Sequence, residues 1–271
     1  MDRRFHANDI DAGELEMIRV IGPVARSTLL EARRSRILWL VAAMALASLG
    51  LAGFLGQVAI IESTEVQVAV VAAVLRGCAV FLTAAFVAIA MVREFNDKVF
   101  ELMLAGPWPR GVYLLGKFVG FSTTALVLAV LLSLPLAALV PAARLWPWTL
   151  SLACELVIVA AMSLFCVITF THVVAALATV LGFYLLGRSI AAIQVMAAAA
   201  EASTRWTDRA ADWLVAAVAV LLPRFDLMTR ADWLLGAFPG PAALASVLGQ
   251  TAVYTLLLVA AAQFDLHRQN F

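Results

Sequence analysis

Long apolar runs separated by short charged stretches set the rhythm of this chain, and their lengths predict membrane-crossing helices. About 20 apolar residues carry an α-helix across the hydrocarbon core of a bilayer. Residues 37–61 contain no charge and predict a first span. Residues 70–92 predict a second, interrupted only by Arg76. Residues 118–143 predict a third with Pro135 inside it, which a membrane helix tolerates when neighbours satisfy the freed carbonyl. From Trp146 to Ala200 the only charges besides the titratable His172 are Glu155 and Arg188. That length suits two spans, 147–169 and 173–199, with Thr169, Thr171 and His172 marking the turn. Residues 242–264 predict a sixth. No internal repeat is visible.

Two further segments read as helical but not crossing. In residues 14–36, Ile18, Ile21, Ala25, Leu29 and Leu30 share a face, while Arg19, Arg26, Arg33 and Arg34 lie largely elsewhere. Such a helix lies in the interface and offers arginine to lipid phosphate, and Gly22-Pro23 breaks or starts it. Residues 201–241 open with the amphipathic set Trp206, Asp208, Arg209, Asp212 and Trp213. The apolar stretch 213–222 is about half a span, which predicts a re-entrant or surface helix before Pro223, Pro239 and Pro241. The expected fold is therefore an all-α polytopic membrane protein: one domain, residues 1–271, with an N-terminal interfacial helix, six spans and short helices before the last.

Lysine and arginine set the expected orientation. Seven arginines fall within residues 1–36, and four more basic residues within 93–117. A hairpin of spans one and two puts both segments on one side, and the positive-inside rule makes that side cytoplasmic. Six spans return the C-terminus there as well, leaving 201–241 outside. The apolar fraction of 64% and charged fraction of 14% support membrane residence, because soluble domains are roughly 45–50% apolar and about 25% charged. A net charge of +1 provides no basic field for nucleic acid. The first apolar run follows a long polar segment and exceeds a signal-peptide core, so it is expected to stay as an anchor. Trp39, Trp108, Trp146, Trp148 and Trp206 sit near predicted span ends, as interface belts do.

Candidate chemistry is sparse. Cys78, Cys154 and Cys166 lie in apolar runs without metal-ligand spacing and read as small hydrophobes. His6, His172 and His267 have no partner at zinc-site spacing, so no metal is expected. The stretch GVYLLGK at 111–117 nearly spells a phosphate-binding loop, but Phe118 stands where the Mg²⁺-binding hydroxyl belongs, and the stretch enters a span. Arg76, Glu155 and Arg188 are charges inside spans. They read either as snorkelling or mutually paired groups, with Glu155 opposite Arg76 or Arg188, or as the lining of a substrate path. Ser122, Thr123 and Thr124 read as hydroxyls bonded to their own backbone or to a neighbouring helix, and Gly116, Gly120 and Gly182 as places of close helix approach.

The most specific block is 93–117. Arg93-Glu94-Phe95-Asn96-Asp97-Lys98 leads into an amphipathic turn around Glu101, ended by Gly106-Pro107 and stiffened by Pro109. Arg110, Tyr113 and Gly116-Lys117 then open span three. In the order of these parts the chain resembles the membrane (permease) subunit of type-2 ABC transporters, the ABC-2 family. The carrying residues are Glu94, the run Glu101-Leu102-Met103-Leu104-Ala105-Gly106-Pro107-Trp108-Pro109-Arg110, and Tyr113-Leu114-Leu115-Gly116-Lys117. Weaker echoes are residues 25–34 and Leu222-Pro223-Arg224-Phe225-Asp226-Leu227.

The resemblance implies that the 93–117 loop supplies a coupling helix resting in a groove of a separate ATP-binding subunit. Glu94, Asp97, Lys98, Glu101, Pro107 and Arg110 would make that coupling. It further implies a second membrane subunit, the same or similar, with spans one, two and five at the shared face. Export would run through a plasma (inner) membrane, with ATP and Mg²⁺ bound by the partner and no cofactor in this chain. Two other readings share the composition: a non-transporting scaffold or assembly factor, and a membrane-embedded lipid-modifying enzyme. The latter would need clustered carboxylates or histidines, and the spans contain only Glu155.

Overall fold

The computed structural model describes residues 22–58, 63–97, 110–170, 172–200 and 222–268. The chain is all-α, with no strand among the described residues and six helices long and apolar enough to cross a membrane. Residues 22–34 form α1, followed by α2 (Ile37–Val58), α3 (Ser63–Asn96), α4 (Arg110–Ser133), α5 (Ala142–Phe170) and α6 (Val173–Ala200). A short α7 (Asp232–Leu235) precedes α8 (Pro241–Arg268). The spans are α2 to α6 and α8.

Proline and small polar residues decide where these helices begin and end. Between α1 and α2, the Ser35 hydroxyl accepts the Ile37 N–H at 3.4 Å, a local turn contact just before α2 begins. Pro135 lies within the third span, Gly111–Ala138, as expected, though not in regular α-helix. Regular helix stops at Ser133, and Pro135 begins a 3₁₀ turn, Leu134–Ala138, that needs no donor there. Pro147, by contrast, lies inside α5, which starts five residues earlier than its expected span. Helix α3 is also longer than its apolar run, from Ser63 to Asn96, so Arg93 and Glu94 are helical. Helix α5 ends at Phe170 and α6 begins at Val173, on either side of the expected turn.

Helix α5 is the axis of the bundle. In its most apolar window 83% of residues are buried, against 22% for α2 and 11% for α8. It packs most extensively on α4 and α8, and also touches α3 and α6. Trp148, expected in an interface belt, is instead fully buried in this core, whereas Trp39 is 79% exposed. Hydroxyls within the spans mostly bond their own helix: Thr123 to the Val119 carbonyl at 2.8 Å, Thr124 to Gly120 at 3.0 Å and Ser163 to Val159 at 2.7 Å. Gly120 does mark a close approach, but Gly182 does not, for a Cβ there would meet nothing within 4 Å.

Candidate functional site

Two polar clusters interrupt the apolar bundle. The first lies where α3 ends and α4 begins. Tyr113 and Lys117 are four apart on α4 and so share a face. Both reach Glu94 of α3: the Tyr113 hydroxyl donates to Oε2 at 2.6 Å, and the Lys117 ammonium forms an ion pair with Oε1. The Lys117 side chain is 4% exposed, so Glu94 stands in for water around a buried charge. Arg93 pairs with Glu31 of α1. Helix α1 is in turn pressed onto α4. A Cβ on Gly120 would lie 2.7 Å from the Thr28 Cβ and 3.1 Å from the Ala25 carbonyl oxygen. The face of α1 turned to the bundle is thus Val24, Thr28 and Ala32, while Leu29 and Leu30 are exposed. Helices α1, α3 and α4 are fastened together around both ends of segment 98–109.

Of the residues assigned to coupling, Glu94 is held at the root of the loop by α4. Asp97 is exposed, with its N–H donating to the Arg93 carbonyl at 2.9 Å. The backbone of Arg110 opens α4. Lys98, Glu101, Pro107 and the Arg110 side chain lie outside the described residues. Tyr113 and Lys117 were legible as part of the motif. Their partner became visible only once α3 was seen to extend to Asn96.

The second cluster gathers the three charges named within spans. Arg76 of α3, Glu155 of α5 and Arg188 of α6 converge on the irregular segment 225–229. The Glu155 carboxyl, fully buried, accepts the Tyr184 hydroxyl at 2.7 Å and the Thr229 hydroxyl at 2.6 Å. Ser151 Oγ accepts the Thr229 N–H at 2.9 Å. Arg76 donates to the Thr229 carbonyl at 3.2 Å, and Arg188 to the carbonyls of Met228 at 2.8 Å and of Phe225. Neither arginine forms a direct ion pair with Glu155; Thr229 stands between them. Thr229 itself has φ of 47°, a left-handed conformation costly for a β-branched residue and sustained here by this ring of bonds. Asp226 adds a second carboxylate to the field around Arg188.

The physical logic is that of irregular backbone at membrane depth. Such backbone persists only where protein groups satisfy its polar atoms, and the two guanidinium groups do so for three carbonyls. They turn inward to that task rather than snorkelling outward. Gly187 allows the approach: a Cβ there would sit 2.9 Å from both the Phe225 ring and the Pro223 carbonyl oxygen. The Phe225 ring also meets Phe183 edge-on, with centroids 6.4 Å apart. Sequence reasoning missed Ser151, Tyr184, Gly187 and Thr229. The available signal was the spacing of Ser151 with Glu155 and of Tyr184 with Arg188, each four apart on one helix face.

The clusters stand well apart. Arg76 precedes Arg93 on the same helix by about 26 Å of rise, nearly the roughly 30 Å thickness of a hydrocarbon core. Among the described residues, no group of three or more His, Cys, Asp or Glu side chains is gathered as a metal site requires. No protein-family model matches the chain, and no curated protein matches it.

Proposed function

We propose that this chain is the permease subunit of an ATP-driven, ABC-type exporter, working as a pair of membrane subunits with separate ATP-binding subunits. One observation carries the reading: the fastening of α1, α3 and α4 around segment 98–109 by Glu31–Arg93 and Glu94–Lys117–Tyr113. A force applied to that segment meets these contacts at its roots, chiefly the buried Lys117–Glu94 pair. It passes to two spans and to α1 as a unit, as a coupling element requires. Glu94 acts as a positioning residue, while Asp97, Lys98 and Glu101 face the ATP-binding subunit. On the positive-inside rule this end is cytoplasmic. The knot at 225–229 lies toward the other end of α3, at Arg76.

The test is purification of the chain from its native membrane, with ATP hydrolysis measured on the isolated complex. The reading expects a stoichiometric ATP-binding polypeptide and hydrolysis that falls several-fold in Glu101→Ala. A chain that purifies without such a partner, or a Glu101→Ala complex hydrolysing ATP at the parental rate, overturns it. A cysteine at Asp97 that reacts with impermeant maleimide from the outer face of intact cells overturns it independently.

A further inference from the structure

The corner where α1 turns into α2 carries two adjoining hollows with opposite character. One is an apolar cleft of about 250 Å³ between α2 and α3, lined by Ile37, Leu40, Leu82, Phe86 and Ile89. The other is a polar bowl of about 400 Å³ bounded by Ser27, Arg34 and Ser35. Glu31, Ser35 and Arg93 line both, so the two adjoin, and Arg36 lines the cleft.

Charge and depth together define what fits. Glu31 is taken by Arg93, whereas Arg34 and Arg36 have no ion-pair partner among the described residues. Arg34 thus lines the bowl beside Ser27 and Ser35, and Arg36 lines the adjoining cleft, neither paired with a carboxylate among the described residues. The bowl lies where α3 leaves the apolar zone, at headgroup level. From there the cleft descends along α3 from Arg93 to Leu82, about 16 Å of helical rise. That is close to half of the roughly 30 Å hydrocarbon thickness, the depth of one leaflet.

We propose that this corner is a binding site for one anionic glycerophospholipid. Its phosphate sits against Arg34 and Arg36, and one acyl chain fills the cleft between α2 and α3. The bound lipid wedges α1 and α2 against α3, so it sets the angle at which α1 meets the loop end of the bundle. The site stands on the charge and shape of this corner and does not depend on the transport reading.

Native mass spectrometry of the full chain, released from micelles in the presence of phosphatidylglycerol or phosphatidylcholine, tests it. Phosphatidylglycerol is expected to be retained as a single adduct in preference to phosphatidylcholine. Arg34→Gln with Arg36→Gln should weaken that retention roughly thirtyfold, taking about 1 kcal/mol per arginine at an anionic lipid surface. The double lysine variant should keep most of it. Ala85 also lines the cleft, and Ala85→Trp, which fills it without replacing a charged residue, should abolish the adduct while leaving the arginines in place. Equal retention of the two lipids, or unchanged retention in the glutamine variant, overturns the proposal. So does an Ala85→Trp chain that loses a dimer but keeps its lipid, since the cleft then belongs to a second copy.

Discussion

The loop-end corner and the knot at 225–229 use the same ingredients to opposite effect. Each joins helices through a carboxylate, a tyrosine hydroxyl and basic side chains: Glu94 with Tyr113 and Lys117, Glu155 with Tyr184 and the two arginines. At the corner the arrangement grades into solvent, for the Arg93 side chain is 61% exposed and Asp97 is open. In the knot Glu155, Ser151 and Thr229 are all sealed. A polar group that can exchange its partner for water is a hinge or contact point, and one that cannot is a rivet. The chain thus has one polar cluster that reaches solvent at its edge and another that holds its own irregular segment.

The comparison breaks most visibly at Glu155. Replacing it with alanine strands the Tyr184 and Thr229 hydroxyls and takes one carboxylate from the field of Arg76 and Arg188, leaving Arg188 that of Asp226. Removing one member of a buried charged set costs about 3–5 kcal/mol, to be read in detergent as a drop in melting temperature. Segment 222–236 should become protease-sensitive in the same variant, and Glu155→Gln, which retains the acceptor for Tyr184, should lie between it and the parent. Next comes Glu94→Ala, which uncovers the charge of buried Lys117. Loss of a hydrogen bond to a charged group predicts about 1.5–3 kcal/mol, and Lys117→Met with Glu94→Leu should recover much of it.

Smaller effects sharpen the contrast by packing alone. Gly187→Ala forces a methyl to within 2.9 Å of Phe225 and Pro223 and should cost about 1–3 kcal/mol as overpacking. Its signature is exposure of 222–230 to proteolysis with the loop end undisturbed. Gly120→Ala, against Thr28 and Ala25, should cost a similar amount but release α1, seen as faster amide exchange over residues 24–32. Arg93→Ala should be the mildest, within about 0–1 kcal/mol, because exposed ion pairs contribute little. A large loss there would mean that the corner is as closed as the knot.

Much of this was legible along the chain. Six apolar runs became six spans, because a helix is the simplest way to satisfy backbone polar groups in lipid, and run length alone reports it. The charges that matter, Arg76, Glu155 and Arg188, also stood out, since each is an expensive exception in an apolar run. Their partners did not stand out. Ser151, Tyr184 and Thr229 are ordinary residues by type, and Thr229 lies 74 positions from Glu155.

Composition and run length therefore determined that the protein is a helical membrane bundle and where its spans fall, to within a few residues at most ends. Tertiary structure alone decided that α5 is the axis, that Trp148 is core, and that Pro135 ends a helix. It alone decided that segment 225–229 folds into the bundle. The reason is that hydropathy measures a residue against its solvent, whereas a buried hydrogen bond depends on which helix face meets which, and the 3.6-residue turn leaves that choice to packing.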